Sequence, residues 1–145
     1  MNAVLATKRI KIAEATYRQL NYLTAKAQGY TITVTPDPYE DMRHDIRASY
    51  AGDKVRFYLR CGMLWAPATI NEQGHPICDQ HDIAREPYIA KELGPERRRW
   101  KAHKLKSKVN PRSYTQHGDT SLQAGLRCYL LSCLGEEAEM PVELC

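Results

Sequence analysis

One short stretch of this 145-residue chain carries several side chains that could bind a ligand. In Gln73-Gly74-His75-Pro76, the glycine lets a backbone approach a ligand closely and the proline stiffens a turn. The Gln73 amide and the His75 imidazole can donate hydrogen bonds to an anion or read a base edge. The ring of Trp65 could stack on an aromatic ligand. We therefore predict a ligand-binding loop made of these five residues, and the alternative is a structural turn with Trp65 in the core.

The same stretch offers a weaker interpretation as a metal site. His75, Cys78 and His81 are spaced three residues apart, and all three are of types that zinc accepts. A structural zinc site needs four ligands, and the sequence offers no clear fourth. We therefore expect neither a metal nor another cofactor.

A second candidate site is a basic segment, at about residues 95–110. From Arg97 to Lys108 the chain has seven lysines or arginines and no acid, which points to an anionic partner. A solvated basic loop is the alternative. The residues predicted to contact phosphates or, for the tryptophan, to stack on a base are Arg97, Arg98, Arg99, Trp100, Lys101 and Lys104. No signature of a duplex-reading motif accompanies them, so specific duplex recognition is not expected.

The last helix adds one more cation. Thr120 and Gln123 have the spacing of a capping box, which predicts a helix start at that point. Its free N–H groups could bind an anion, although the neighbouring Asp119 argues against it. Arg127, one to two turns further on, could clamp a phosphate in bidentate fashion or pair with a surface acid such as Glu137.

Catalytic motifs are absent from the sequence. It has no GxSxG, P-loop or HExxH pattern and no paired acids at a telling spacing, so we expect a protein that is not an enzyme. The sequence leaves open one catalytic alternative, a cysteine nucleophile activated by a histidine that is distant along the chain. The five cysteines include no CxxC pair and favour free thiols in the cytoplasm. No apolar run approaches the roughly 20 residues that span a bilayer, and no signal peptide is recognisable.

These residues must be positioned by an α+β fold. The length favours a single domain, residues 1–145. Helical periodicity predicts two main helices, about 12–28 and 121–134, packed on a small, mostly antiparallel sheet. Gly29 is placed to end the first helix.

The remaining segments have less distinct patterns. Alternation predicts strands at residues 30–35 and 54–61, and Asp37-Pro38 predicts a short helix followed by a turn at residues 51–53. Residues 63–84 resemble a long functional loop. Beyond that loop we predict a strand at residues 86–92, a basic helix at 94–103, a strand at 113–115, a turn at 117–119 and an acidic tail at 136–145.

Three segments together resemble the NinX-like family of small phage proteins of unknown function. They are residues 20–29, an N-terminal helix ending in glycine; residues 65–78, an aromatic residue followed by Pro- and Gly-containing turns; and residues 120–144, a helix followed by an acidic tail. Asn71 and His75 depart from the family pattern, which has Trp and Gly at these two places. The basic segment at about residues 95–110 looks like an insertion beside the family. The resemblance implies a small phage accessory protein in a bacterial host cell and brings no established activity.

These observations lead to three functional hypotheses. The first is a counter-defence protein that binds and sequesters a small anionic ligand, such as a nucleotide immune signal, and that is a possible homo-oligomer. The second is a nucleic-acid-binding or transcription-linked protein that uses residues 97–108. The third is an adaptor that inhibits a host enzyme. No membrane partner is expected.

Overall fold

A computed structural model describes residues 6–36, 55–59, 61–90, 92, 98–104 and 115–145. Its helices are α1 (Tyr17–Gln28), α2 (Asn71–Gln80) and α3 (Ser121–Leu134). Its strands are β1 (Thr7–Lys11), β2 (Ile32–Pro36), β3 (Val55–Leu59), β4 (Leu64–Trp65), β5 (Ile83–Ile89), β6 (Arg98–Lys104), β7 (Gln116–Gly118) and β8 (Glu137–Pro141). The predicted α+β class is confirmed.

Within the described part of the chain, the strands form three small antiparallel sheets around the helices. Their orders are β1–β8, β2–β3–β4 and β5–β6–β7, so the first of these strands pairs with the last. None of the described helices is long and apolar enough to cross a bilayer.

Helix α3 is the centre of the core and begins where the sequence predicts. The Thr120 hydroxyl accepts a hydrogen bond from Gln123 N at 3.1 Å. The Gln123 side chain, however, accepts from Asp119 N at 2.7 Å instead of from the capping residue. Ten consecutive residues of α3 are buried, because the helix packs against both α1 and the β5–β6–β7 sheet.

The first predicted helix ends correctly at Gly29, which has a left-handed φ of 76°. Its predicted start at residue 12 is wrong, since α1 begins at Tyr17. Thr16 caps it in a reciprocal box with Gln19, which satisfies two backbone donors at once. Ile12 is fully buried, but in a short 3-10 turn that precedes α1.

The long functional loop predicted at residues 63–84 is wrong, because it contains α2. Propensity disfavours a helix through Gly74 and Pro76, yet both residues fit this one. Gly74 is buried where a side chain would collide with the Pro67 carbonyl and with Leu122. Pro76 lies on the exposed side of the helix.

The basic helix predicted at residues 94–103 is also wrong, because residues 98–104 form the central strand β6. Ala102 is fully buried and Trp100 packs against the core, so the even-numbered residues of β6 face the helices. The odd-numbered residues, Arg99, Lys101 and His103, therefore lie on the other side of the sheet.

The remaining differences lie near the end of the chain. The acidic tail is ordered as β8 and a 3-10 turn, with Met140 and Leu144 buried. His117 and Gly118 end β7 and are not a turn. The strand predicted at 86–92 is β5, at 83–89, and those predicted at 30–35 and 54–61 are β2 and β3. Residues 37–50, 51–53, 113 and 114 lie outside the described residues, and with them the predicted short helix and its turn.

Candidate functional site

Two residues of the predicted ligand-binding loop make structural hydrogen bonds. Trp65 is 5% exposed, and its Nε1 donates to Asn21 O at 2.9 Å. The Gln73 amide accepts from Ala66 N at 2.7 Å and donates to Leu64 O at 2.6 Å, so both of its ends are occupied. The Gln73 bonds hold α2 against β4, and the Trp65 bond holds β4 against α1. The predicted ligand contacts of both side chains stay a prediction.

The other three residues of this set lie along α2. All three lie inside α2, so they form one turn of helix and not a loop around a ligand. Gly74 is buried, His75 is half-buried and Pro76 is exposed. Among the residues that the structure describes, no three His, Cys, Asp or Glu side chains gather as a metal site would require.

The buried thiols are poor candidates for a nucleophile. Burial raises the pKa of Cys78, against the opposing charge of Arg85. Burial also raises the pKa of Cys128 to about 12. Both are therefore protonated at neutral pH, and a thiol reacts as its thiolate.

The Arg127 side chain is buried and hydrogen-bonded to two separate backbone segments. It is 8% exposed; its Nη1 donates to His117 O at 2.7 Å and its Nη2 donates to Ala15 O at 2.8 Å. Burial, and then the charge of Arg99, lower its pKa. A predicted phosphate clamp would need these donors, which the backbone already uses, so we place Arg127 in neither surface described next.

The structure brings aromatic and polar side chains together at one end of α1. We call this group the aromatic corner, and it consists of Gln28, Tyr30, Trp65, His81, Lys104 and Tyr129. The Tyr30 and Trp65 rings pack edge to face, with their centroids 5.2 Å apart. The His81 ring lies 4.5 Å from the Tyr129 ring, and Gln28 Nε2 donates to the Tyr129 hydroxyl at 2.7 Å.

Exposure divides the aromatic corner into a support and a contact surface. Trp65 and Tyr129 are buried, whereas Tyr30 is 48% exposed and His81 and Lys104 are half-buried. Burial, and then the charge of Lys104, lower the pKa of His81, while Asp82 opposes them. The aromatic corner thus presents one ring, one imidazole that favours its neutral form, and one cation.

A second surface is the outer face of the β5–β6–β7 sheet. We define it as Glu86, Tyr88, Arg99, Lys101, His103 and His117. The strand register places Glu86 opposite Lys101, Tyr88 opposite Arg99, and Lys101 opposite His117. The Tyr88 and His117 rings meet edge to face at 5.5 Å.

Acids partly neutralise the outer face. Lys101 Nζ lies 3.3 Å from Glu86 Oε1, and Arg99 Nε lies 3.4 Å from Asp119 Oδ1 without hydrogen-bond geometry. Burial, and then the charges of Arg99 and Lys101, nevertheless lower the pKa of His117. Burial and these two cations together therefore disfavour the protonation of His117.

The predicted basic residues are split between the two surfaces. Lys104 belongs to the aromatic corner, while Arg99 and Lys101 lie on the outer face. Arg98 lies 5.8 Å over the Trp100 ring, and Arg97 is outside the described residues. Sequence reasoning missed the split because it predicted a helix, although the small apolar Ala102 between charged neighbours is the signal of a strand.

Sequence reasoning also missed most of the aromatic rings. It considered His81 only as a metal ligand and left Tyr30 and Tyr88 in strands. Ring contacts between such distant positions depend on tertiary packing, and spacing along the chain gives no sign of them.

Most of the chain matches the model of a known protein family. The family model described as Bacteriophage P22, NinX matches residues 11–133, which extend from the end of β1 to within one residue of the end of α3. No curated protein matches the chain.

Proposed function

This chain belongs to the Bacteriophage P22 NinX family, and we propose that it binds a small nucleotide-like anion at the aromatic corner without catalysing a reaction. One observation carries the proposal: an exposed tyrosine ring, braced by a buried tryptophan, neighbours Tyr129, whose ring contacts an imidazole that lies within the influence of a lysine. Stacking and cation contact together are the chemistry that recognises a base and its phosphate.

Each exposed group of the aromatic corner has a role in this proposal. The Tyr30 ring stacks on the base, and Trp65 holds that ring in place. Lys104 pairs with the phosphate, and His81 donates or accepts one hydrogen bond. Gln28 fixes the Tyr129 hydroxyl at 2.7 Å, which orients the phenol beneath the ligand.

Sequestration needs affinity and no chemical step. A phage protein that holds a nucleotide signal would lower the free concentration of that signal in the host cell and so weaken a defence that depends on it. The sequence offers no catalytic motif that would degrade such a ligand, which supports a binding role.

A second candidate function is favoured by the outer face of the β5–β6–β7 sheet. Tyr88 and His117 form a ring pair beside Arg99 and Lys101 on one face of a three-stranded sheet. Single-stranded nucleic acid is bound by such flat surfaces, through base stacking and phosphate contacts. The ion pair between Lys101 and Glu86 is weak enough for a phosphate to displace it, since exposed pairs contribute about 0–1 kcal/mol.

The two candidates are separated by two lysines on opposite faces of one strand. Lys104→Gln and Lys101→Gln remove the same charge from β6, three residues apart. We expect Lys104→Gln and Tyr30→Ala to weaken binding of a mononucleotide or cyclic dinucleotide about tenfold in calorimetry, and Lys101→Gln to leave it unchanged. Single-stranded oligonucleotides would show the reverse order.

Salt and length dependence give an independent readout. Affinity for one small nucleotide would fall shallowly with salt and would not rise with strand length, whereas a polymer engages several phosphates and gives a steep slope. Loss of nucleotide affinity in Lys101→Gln but not in Lys104→Gln would contradict the first proposal. Absence of any shift in melting temperature with nucleotides and oligonucleotides would contradict both.

A further inference from the structure

The even-numbered residues of β1 make the backbone hydrogen bonds that join β1 to β8. At the two ends of this pair, Val142 N donates to Ala6 O at 3.1 Å and Ile12 N donates to Glu136 O at 2.9 Å. Bonded and non-bonded pairs alternate along an antiparallel ladder. Thr7 and Pro141 are opposite each other and belong to the non-bonded set, which accords with the missing N–H of proline.

The odd-numbered residues of β1 therefore turn their backbone groups away from β8. These residues are Thr7, Arg9 and Lys11, and their N–H and C=O groups have no backbone partner among the described residues. A strand with such a row of unpaired groups is a template for one more strand.

A groove of about 470 Å³ follows this open edge. Residues 8–11 all line it, although neighbouring side chains of a strand point to opposite faces, so the groove runs along the backbone edge. Glu14, Thr16, Gln19, Glu137 and Cys145 complete its lining. The groove gives an extended segment room to lie along β1.

The charges of the groove favour an acidic occupant. Lys8, Arg9 and Lys11 line it, against Glu14 and Glu137. Arg9 Nε lies 3.3 Å from Glu137 Oε2, but both side chains are about half exposed or more, so the pair is easily exchanged. Edge lysines oppose pairing between two copies of β1, and the same charges attract a strand of opposite sign.

We propose that the open edge of β1 is a docking site for an extended, acidic segment of a partner protein, which adds a third strand to the β1–β8 sheet. The backbone of the partner bonds to Thr7, Arg9 and Lys11, and its acidic side chains pair with the basic groups along the edge. This site is separate from the aromatic corner and does not depend on a nucleotide.

The test uses an octapeptide of alternating glutamate and valine, with a lysine–valine octapeptide as its charge-reversed control. We expect amide chemical-shift changes in β1 with the acidic peptide only. Arg9→Gln combined with Lys11→Gln should weaken binding about tenfold. Lys26→Gln, on the exposed side of α1, removes a charge elsewhere and should have no effect.

A backbone variant separates strand addition from simple charge attraction. Thr7→Pro removes one outward N–H without touching a ladder bond or a charge, and edge strands tolerate proline at such positions. We expect weaker peptide binding with an unchanged circular dichroism spectrum. Equal binding of both peptides, shift changes outside β1, no binding of the acidic peptide, or self-association of the protein through this edge would each overturn the proposal.

Discussion

At the scale of single residues, Arg127 links three parts of the molecule. Its guanidinium on α3 donates to the carbonyl of His117 in β7 and to that of Ala15 before α1. The sequence identifies a cation on a helix, but its acceptors are two backbone carbonyls, which carry no residue signature. Spacing alone therefore could not predict this contact.

We expect Arg127→Met to destabilise the fold. The substitution leaves two carbonyl acceptors without a donor in a largely buried place, which should lower the free energy of unfolding by about 3 kcal/mol. Urea denaturation measures this change. Arg9→Met is the matched control, because Arg9 is exposed and its ion pair contributes little. Equal losses in the two variants would contradict the structural role of Arg127.

The two perturbed histidines predict how stability depends on pH. Burial and neighbouring cations lower the folded-state pKa of His81 and His117 below the ordinary 6.5. Between the lowered pKa and 6.5, these histidines bind more protons in the unfolded chain than in the folded one. The stability that comes from keeping them neutral is therefore complete above about pH 6.5 and is lost as the pH falls through the lowered pKa.

A comparison of the wild type with a double variant separates the histidine effect from the titration of carboxylates. Urea midpoints of the wild type and of His81→Gln/His117→Gln, compared between about pH 5 and 8, should show a smaller loss on acidification in the double variant. A parallel decline of the two proteins would show that neither histidine contributes.

At the scale of elements, the sequence predicted the helix boundaries that depend on interactions within a single helical turn. The cap at Thr120 and the left-handed Gly29 lie where the sequence placed them, because each acts within one turn of its helix. Strand β6 and helix α2 were mispredicted because tertiary packing overrides propensity there. Ala102 is buried against the helices, and Gly74 is the residue that allows α2 to approach α3.

Gly74→Ala therefore tests the placement of α2. In an exposed helix the change to alanine stabilises by about 1 kcal/mol. In α2 the new Cβ would collide with the Pro67 carbonyl and lie 2.7 Å from Leu122 Cδ2, so we expect a loss of about 2 kcal/mol in chemical denaturation. Glu72→Ala, at an exposed position of the same helix, is the control and should change stability little. A stabilised Gly74→Ala protein would refute this packing.

At the scale of the whole molecule, the sequence predicts the α+β class and the helices α1 and α3, but not the division of the described strands into three sheets. Pairing between β1 and β8 joins segments about 130 residues apart. A contact that closes so long a loop produces no pattern in the local sequence around either strand. The alternation of Ala138 and Met140 with glutamates is the available signal, but high acidity made the segment resemble a solvated tail.

The β1–β8 pair should therefore stabilise the molecule as a whole. Met140 is fully buried beneath it, and Met140→Ala should create a cavity that costs about 3 kcal/mol. Val142→Ala, two residues on and 45% exposed, should change stability by less than about 0.5 kcal/mol. Because the strand closes over the core shared by α1 and α3, hydrogen exchange in both helices should accelerate in Met140→Ala. Acceleration confined to β1 and β8 would instead show that the ribbon opens independently of the core.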